Sequence, residues 1–369
     1  AEEVLADGAA DADQLTRLLT GLWRQTGGDG PVRWLMLVCS TVEARASCGF
    51  PGNYVELEFA DGTIEVIDRG RVSDLEERLA ASDVTLRTGG DYQSRYEDFE
   101  VDRVLRNATM SPHWPDIATA LRQLYGDLTG TTPDVVVGVN TRGLAALLEL
   151  TGPVQTDDLG TITAANVRQR LEIDQYALVR DPDRPDALVE LTDAIIDRLV
   201  DRPTVTDDAL RSLQAAADNG GLLLHADDDP DDLADAAGVA GALPDVPIGI
   251  TWQNAGGNKL DAYTRTTLSH RPPGAEPGCV VFTVANVAPA DLPPVVAGYG
   301  TPVPPYYNRV LVTVYSPTPV TALTVDGEPA TFTSDREHGA WVAWRYVDLD
   351  PGQQVTVAAE LAPGAVDPV

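Results

Sequence analysis

The sequence predicts a mixed α/β fold over residues 1–244, followed by an all-β, sandwich-like fold over residues 245–369. In the first range, apolar runs of strand length alternate with amphipathic helical periods, as in a sheet layered by helices. In the second range, short strand-like runs follow one another with Gly, Pro and Asn between them and no helical period. The length of 369 residues also suits two domains.

The first part begins its sheet with a continuous apolar run over residues 32–39, which predicts a strand buried on both faces. Residues 54–59 and 64–67 flank an Asp-Gly pair, and this spacing predicts a β-hairpin. A second buried strand is predicted over residues 134–139. Helices are predicted over residues 73–81, 115–125 and 186–202.

The second part contains seven strand-like runs at short intervals. Regular short strands with turn signals between them are typical of a β-sandwich. The predicted strands cover residues 247–252, 261–270, 279–285, 310–315, 320–325, 340–347 and 354–361.

The formal net charge is −31, which argues against binding to nucleic acid or to anionic lipid headgroups. Lys259 is the only lysine, so an anion site in this chain would be built from arginines, whose guanidinium groups bind phosphate and carboxylate bidentately. No run of 18 apolar residues occurs, so we expect membrane contact only through an anchor outside this chain.

Three cysteines and four histidines are the obvious reactive side chains. Cys39 and Cys48 are nine positions apart across a predicted loop, and both a disulfide and buried thiols fit this spacing. No Cys/His spacing typical of a metal site occurs. The histidines are scattered along the sequence and fit surface or packing roles.

The exit of the first strand is the candidate site. The strand over residues 32–39 leads into a loop that contains Glu43, Arg45, Gly49 and Gly52 before the hairpin begins. Active sites of α/β sheets usually lie at the carboxyl ends of strands, and glycines let backbone approach a ligand closely. The same residues also fit an alternative without a function: a bend in the chain that is made possible by its glycines, with one Arg–Glu pair on the surface.

Four stretches resemble an uncharacterised family of bacterial envelope proteins that is distantly related to LytR-CpsA-Psr phosphotransferases. The family pattern NNxELRATGGFxGxY is similar to VEARASCGFPGNY at residues 42–54. The other stretches are RNATMSP at residues 106–112, residues 135–154, and QNAGGNKLD at residues 253–261.

This resemblance implies a LytR-CpsA-Psr-like mixed sheet with flanking helices. LytR-CpsA-Psr proteins are extracellular, membrane-anchored enzymes that move glycopolymers from polyprenyl-phosphate carriers onto peptidoglycan. In them, arginines hold the pyrophosphate, aspartates bind a divalent metal and an apolar cleft holds the lipid. By resemblance, we expect this chain at the outer face of the cell membrane or in the cell wall. Its expected partners are a lipid-linked or phosphorylated glycan and a cell-wall polymer.

The resemblance also assigns roles to individual residues. Arg45 and Glu43 are the catalytic candidates, with Glu43 as a base or metal ligand. The phosphate-binding candidates are Arg45, Arg106, Arg184 and Arg180. The further candidates are Asn107, Asp174, Tyr176, Asn258 and Lys259. Two of these groups have simpler interpretations: residues 180–184 fit a solvated charge run, and residues 254–261 fit a Gly-Gly turn capped by asparagines.

The chain departs from the superfamily where the metal-binding aspartates should be. Glu43 is the only acid in the loop, and one carboxylate is not enough to predict a metal site, so a role for Mg²⁺ stays open, as does catalysis itself. One alternative is a non-catalytic envelope module that binds a glycan or a protein. Another is a glycoside hydrolase, since carboxylates are abundant.

Overall fold

A computed structural model describes residues 2–87, 90–178, 187–201, 205–229, 232–245, 247–274 and 276–364. It has a mixed α/β part followed by a β-rich part, as the sequence predicts. No helix among these residues is both long enough and apolar enough to cross a membrane.

The strands of the first part form one five-stranded sheet and one small hairpin. They are β1 (Val32–Ser40), β2 (Phe50–Ala60), β3 (Thr63–Arg71), β4 (Val135–Val139), β5 (Val154–Thr156), β6 (Gly160–Ile162) and β7 (Leu222–Ala226). The large sheet has the order β3-β2-β1-β4-β7, in which β1 and β4 are parallel and the other pairs are antiparallel. Strands β5 and β6 pair with each other.

Helices cover both faces of this sheet. They are α1 (Glu2–Gln25), α2 (Val72–Ala80), α3 (Asp91–Tyr96), α4 (Trp114–Thr129), α5 (Thr141–Thr151), α6 (Val167–Gln169), α7 (Gln175–Leu178), α8 (Ala187–Asp201), α9 (Asp207–Asp218) and α10 (Leu233–Ala236). A π-helical segment, Arg170–Asp174, joins α6 to α7, and 3₁₀ turns cover Glu97–Phe99 and Leu105–Met110.

The central strand β1 is apolar throughout because it contributes to two cores. Side chains alternate across a strand, so Leu35 and Leu37 pack under α2 and α4, while Met36 and Val38 pack under α5 and α8. The burial of β1 on both faces is therefore confirmed.

The predicted hairpin is also confirmed, as β2 and β3. Asp61 and Gly62 join the two strands, and both have positive φ (51° and 74°). Two central residues with positive φ form the turn type whose twist matches that of paired strands.

The second part is a sandwich of two sheets. Its elements are β8 (Gly249–Asn254), β9 (Thr264–Arg271), β10 (Gly278–Asn286), α11 (Pro294–Ala297), β11 (Asn308–Ser316), β12 (Val320–Val325), β13 (Glu328–Pro329), β14 (Thr333–Glu337), β15 (Ala340–Leu349) and β16 (Gln354–Leu361). The sheets have the orders β13-β12-β16-β10-β9 and β14-β15-β11-β8. Apolar residues from both sheets, such as Phe282 and Val312, meet in one core.

One predicted strand of this part has a wrong start, and the strands β13 and β14 were not predicted. The strand expected over residues 261–270 begins only at Thr264, because Leu260–Tyr263 form a 3₁₀ turn that buries the carboxylate of Asp261. Strand β14 was not predicted, because its sequence TSDRE is polar and four of its five residues are exposed.

The two parts are joined by main-chain and side-chain bonds. The N–H of Asn254 donates to the carbonyl of Ala44 (2.9 Å), and the N–H of Ala44 donates to Asp261 Oδ2 (2.7 Å). Elsewhere on the junction, Arg95 Nε lies 2.9 Å from Glu337 Oε2, and both side chains are buried. The loop after β1 is therefore held by residues from both parts.

Candidate functional site

A cleft of about 570 Å³ opens where β1 and β4 end, between the two parts of the molecule. The carboxyl ends of neighbouring parallel strands meet at one sheet edge, and this is the position where α/β sheets usually bind ligands. Strand β9 forms the opposite wall. We call this space the arginine cleft, because its charged lining residues are Arg45, Arg142, Arg168, Glu172, Asp261 and Arg265.

The arginine cleft is locally positive in a strongly negative chain. Four arginines and two carboxylates give a formal charge of +2, against −31 for the whole chain. Arg142 and Arg265 are exposed, and within the described part of the chain neither has a carboxylate partner. Helix α5 also points its amino end here, with Asn140 Oδ1 accepting from the N–H of Arg142 (2.9 Å). Both features attract anions.

The loop that carries Arg45 is fixed at both ends. Cys39 and Cys48 form a disulfide, which decides between the two interpretations of their spacing. Gly49 has φ +115°, and a Cβ there would lie 2.5 Å from the carbonyl oxygen of Ser40, so only glycine fits. Ser47 Oγ donates to the carbonyl of Ser111 (2.8 Å). The loop is therefore held in one conformation.

Arg45 lies at the inner end of the arginine cleft and is bonded only to neutral acceptors. Its Nη1 donates to the carbonyls of Ala44 (3.0 Å) and Asn254 (3.3 Å), and its Nη2 donates to Asn107 Oδ1 (3.2 Å). Its Nε is buried and has no hydrogen-bond partner within the described residues. Burial lowers the pKa of Arg45, against the opposing charges of Glu43 and Asp261. An anion would compensate a guanidinium in this position.

Arg106 comes close to Arg45, as the resemblance implies, but its charge is already compensated. The Phe50 ring lies 5.4 Å from the guanidinium carbon of Arg45 and 5.9 Å from that of Arg106. Glu76 accepts from both Nε (2.8 Å) and the main-chain N–H (2.9 Å) of Arg106. Arg106 is thus a neighbour of Arg45 that does not line the arginine cleft.

Glu43 forms an ion pair with Lys259 across the junction between the two parts. The Lys259 Nζ also lies 5.6 Å from the centre of the Tyr176 ring. These three predicted residues therefore meet, although their positions in the sequence are far apart. The ion pair does not favour the expected role of Glu43 as a base or metal ligand, because its carboxylate already has a cationic partner.

The remaining predicted residues divide into structural and undescribed ones. Asn258 is buried, and its Nδ2 donates to the carbonyl of Tyr307 (3.0 Å). Asn254 Oδ1 accepts from the N–H groups of Gly256 and Gly257, so the capped Gly-Gly turn is present. Asp174 pairs with Arg170 (2.9 Å), on the helical segment behind the arginine cleft. Arg180 and Arg184 lie outside the described residues.

Glu172 is a lining residue that the sequence analysis missed. Its Oε1 accepts from Thr41 Oγ1 (2.9 Å) and Thr141 Oγ1 (2.6 Å), while its Oε2 lies 3.2 Å from Arg168 Nη2. Thr41 directly follows β1, and Thr141 is the second residue after β4, at the start of α5. Hydroxyl side chains just after two parallel strands could have indicated a polar site at this sheet edge. They could not have identified Glu172 as their acceptor, because it lies 131 positions after Thr41.

The carboxylates of this region do not fit a magnesium site. Mg²⁺ is usually held by one or two carboxylates together with several waters, so a site needs carboxylate oxygens that are open to the ion. Here Glu43 is paired with Lys259, and Glu172 accepts from two hydroxyls and an arginine. Asp261 accepts from Ala44, Asn254 and Asn308, and burial raises its pKa to about 6. Because these carboxylates already have partners, they also do not favour the pair of catalytic carboxylates that a glycoside hydrolase needs.

One cluster of metal-capable side chains occurs elsewhere in the described chain: His113, Asp116 and His338. The two rings, distant in sequence, stack at 3.8 Å, and His338 Nε2 lies 2.7 Å from Asp116 Oδ2. His113 Nδ1 accepts from the N–H of Leu243 (3.0 Å), so the neutral ring carries its proton on Nε2, where a metal would bind. Burial lowers the pKa of His113 to about 4. The cluster is therefore better suited to joining the two parts than to holding a metal.

The apolar space expected for a lipid tail is nearly closed. A cavity lined by Leu35, Leu37 and residues of α2 and α4 has a volume of about 10 Å³. This is room for about one water molecule, so a prenyl chain would need the helices to move away from the sheet.

Residues 29–176 match the profile of a family described as "Protein of unknown function (DUF4012)". This segment contains Arg45 and Glu172, but it ends before Lys259 and Asp261. No curated protein matches the sequence. A solved structure, protein gbs0355 from Streptococcus agalactiae, is 15% identical, with a TM-score of 0.31 over 58% of this chain and 75% of that chain. A likeness at this level gives no information about function, and the relation to LytR-CpsA-Psr proteins stays a prediction.

Proposed function

We propose that this chain is an extracellular cell-envelope protein that binds the phosphate or pyrophosphate group of a lipid-linked glycan in the arginine cleft. The observation that carries the proposal is the set of Arg45, Arg142 and Arg265, which lack carboxylate partners among the described residues and line one cavity. In a chain of net charge −31, three such guanidinium groups around one cleft are best explained by an anionic ligand.

The phosphate would lie between the amino end of α5 and the loop after β1. There, Arg142 and Arg265 reach it from opposite walls, and the first N–H groups of α5 add partial positive charge. Arg45 compensates charge from the inner end, where its low exposure to water strengthens the attraction. The arrangement binds phosphate oxygens through several fixed donors.

An extracellular location is supported by the Cys39–Cys48 disulfide. Disulfides persist in oxidising compartments and are rare in the reducing cytosol of mesophiles. This one is buried beneath the Arg45 loop, so it contributes directly to the shape of the proposed site. We propose attachment to the membrane only through an anchor outside this chain.

For the reaction, the proposal has two versions. The resemblance favours a phosphotransferase that passes a glycopolymer from a polyprenyl-phosphate carrier to the cell wall. The Glu43–Lys259 ion pair favours the alternative, a module that binds the phosphorylated glycan without transferring it, because the expected base is occupied. In the transfer, the acceptor hydroxyl would displace polyprenyl phosphate from the pyrophosphate, so formation of polyprenyl phosphate from a polyprenyl-pyrophosphate glycan in the presence of a cell-wall acceptor, measured with and without Mg²⁺, distinguishes the two.

Binding is tested by calorimetric titration of the full chain with inorganic pyrophosphate. We expect Arg142→Ala and Arg265→Ala each to weaken affinity by about tenfold, since one charge-assisted hydrogen bond contributes about 1.5 kcal/mol or more. Arg198→Ala is the matched control, because Arg198 is also exposed and without a carboxylate partner in the described chain, but lies on α8.

Affinity should also fall with rising salt in the wild type, and less steeply in the two cleft variants. Pyrophosphate affinity that is unchanged in both variants, or changed equally in the Arg198→Ala control, would contradict the proposal.

A further inference from the structure

A second cavity, of about 410 Å³, lies on the other side of Arg45. It is bounded by the outer face of the sheet β14-β15-β11-β8 and by residues 99–110 of the first part. Arg45 lines both this cavity and the arginine cleft, so one side chain separates two spaces that are each large enough for a small molecule.

Strand register places three different side chains together on the sheet wall of this cavity. Gln253 of β8 lies opposite Leu311 of β11, which lies opposite Tyr346 of β15. Residues directly opposite each other on paired strands point to the same face of a sheet. This row faces the first part and not the sandwich core, because neighbours such as Val310 and Val312 fill that core.

Two buried polar atoms on the cavity's lining residues have no hydrogen-bond partner in the described chain: Gln253 Oε1 and Arg45 Nε. The Gln253 amide is held in one orientation, because its Nε2 donates to the carbonyl of Met110 (3.1 Å). The Arg45 guanidinium is held by Asn107, whose own Nδ2 donates to the carbonyl of Phe99 (3.0 Å). A buried polar atom without a hydrogen bond lowers the stability of the fold, unless a ligand or a water provides the missing partner.

The two unpaired atoms need opposite partners: Gln253 Oε1 needs a hydrogen-bond donor, and Arg45 Nε needs an acceptor. A hydroxyl group is both, and a ring that bears several hydroxyls can serve the two atoms at once. The cavity also presents the aromatic rings of Phe99 and Tyr346, and Tyr346 is 42% exposed. Aromatic faces pack against the C–H surfaces of sugar rings, which leaves the hydroxyls free for polar partners.

We propose that this second cavity is a sugar subsite, built by Gln253, Tyr346 and Phe99, for the glycan residue next to the phosphate. The inference deepens the proposed function and rests on it, because the two subsites would hold one molecule. Arg45 joins them, since it faces the phosphate on one side and a sugar hydroxyl on the other. The wall of this subsite comes largely from the second part, outside the segment that matches the family.

The test is calorimetric titration of the full chain with inorganic phosphate and with the 1-phosphates of glucose, galactose, mannose and N-acetylglucosamine. We expect at least one sugar phosphate to bind about fivefold more tightly than phosphate, because one aromatic contact and one hydrogen bond add to binding. Tyr346→Ala should remove this gain and leave phosphate affinity unchanged within about twofold. Gln253→Leu should act in the same way.

Tyr299→Ala is the matched control, because Tyr299 is a more exposed tyrosine of the same part (59%) that does not line the cavity. If phosphate binds but no sugar phosphate gains over it, the subsite is overturned and the proposed function stands. Equal weakening of both ligands in Tyr346→Ala also overturns the subsite. A sugar phosphate gain that depends on Tyr346, without measurable phosphate binding, keeps the subsite and overturns the phosphate proposal. If neither ligand binds, both are overturned.

Discussion

Arg45 and Arg95 both lie at the junction between the two parts, but their surroundings differ. Arg95 is 5% exposed and pairs with Glu337, which is fully buried. Glu337 also accepts from the hydroxyls of Tyr315 (2.6 Å) and Ser111 (2.7 Å). Arg45 has only carbonyl and amide acceptors and retains an unsatisfied Nε beside two cavities.

The difference separates a structural arginine from one that is available to a ligand. Burial opposes the charge of Arg95, but Tyr96, Tyr315 and Glu337 raise its pKa, so this charge is fully compensated within the fold. For Arg45, burial lowers the pKa and no direct carboxylate partner restores it. A buried charge without a partner is costly, and a protein retains one where function needs it.

The largest effect should come from removing the carboxylate partner of Arg95, the arginine whose charge is compensated within the fold. We expect Glu337→Ala to lower the free energy of unfolding by roughly 3–5 kcal/mol, because it leaves the buried Arg95 without its carboxylate. Urea unfolding measures this loss. Asp335→Ala is the control, since Asp335 contacts the same arginine (3.3 Å) but is 45% exposed, and it should cost less than about 1 kcal/mol. If Glu337→Ala lowers the free energy of unfolding no more than Asp335→Ala does, Glu337 is not the residue that compensates the charge of Arg95.

The next effect concerns Asp261, the buried carboxylate nearest the Arg45 loop. Burial raises its pKa to about 6, although the hydrogen bonds from Ala44, Asn254 and Asn308 oppose the shift. A carboxyl that binds its proton more tightly when folded stabilises the fold below its unfolded pKa. That contribution is lost as the pH rises from about 4 to about 6, and it amounts to at most about 3 kcal/mol.

Unfolding free energies of the wild type and of Asp261→Asn, measured from pH 4 to pH 7, test this sign. The wild type should lose stability relative to the variant up to about pH 6, and the difference should then become constant. Asp218→Asn, at an exposed position, should leave the pH profile unchanged in this range. A wild type that gains stability relative to Asp261→Asn over the same range would contradict the burial effect.

The smallest effect should come from removing the disulfide that holds the loop of Arg45, the arginine with an unsatisfied Nε. Replacing both Cys39 and Cys48 with alanine should lower the free energy of unfolding by about 2.5 kcal/mol, the closure entropy of a loop of this size. Because the loop positions Arg45, pyrophosphate affinity should fall as well. Thermal unfolding with and without reductant measures the first effect, and calorimetry measures the second.

Cys279→Ala is the control for this pair, since Cys279 is a free thiol in β10. It should keep the wild-type sensitivity to reductant, whereas the double variant should lose it. If the double variant binds pyrophosphate as well as the wild type, the rigidity of the loop does not matter for the site.

The sequence predicted those features that depend on neighbouring residues. The apolar run of β1, the Asp61-Gly62 turn and the strands at residues 320–325 and 354–361 each follow from periodicity or turn chemistry, and the structure has them. The Gly-Gly turn after Asn254 was likewise evident, because an asparagine that caps its own turn is a local device.

Contacts between distant positions could not be predicted in this way. Glu43 and Lys259 are 216 positions apart, and the sequence contains no sign that one neutralises the other. Glu337 was hidden for another reason: it ends β14, a polar edge strand with four exposed residues, yet it is itself fully buried. Such a carboxylate is recognised only when Arg95 and the hydroxyls around it are in place.

The contacts between the two parts, such as the bond between Asn254 and Ala44, also bear on how ligand preference could differ among proteins that match this chain over residues 29–176. Residues 29–176 contain the cleft arginines of the first part, but one of the two acceptors of Arg45 Nη1, the partner of Glu43 and the opposite wall of each cavity come from residues after 248. Under the proposed function, proteins that share the matched segment could keep the loop that carries Arg45 and differ in ligand preference through substitutions in the sandwich. Under the proposed function, the ligand selectivity of this protein depends on residues at the junction of its two parts.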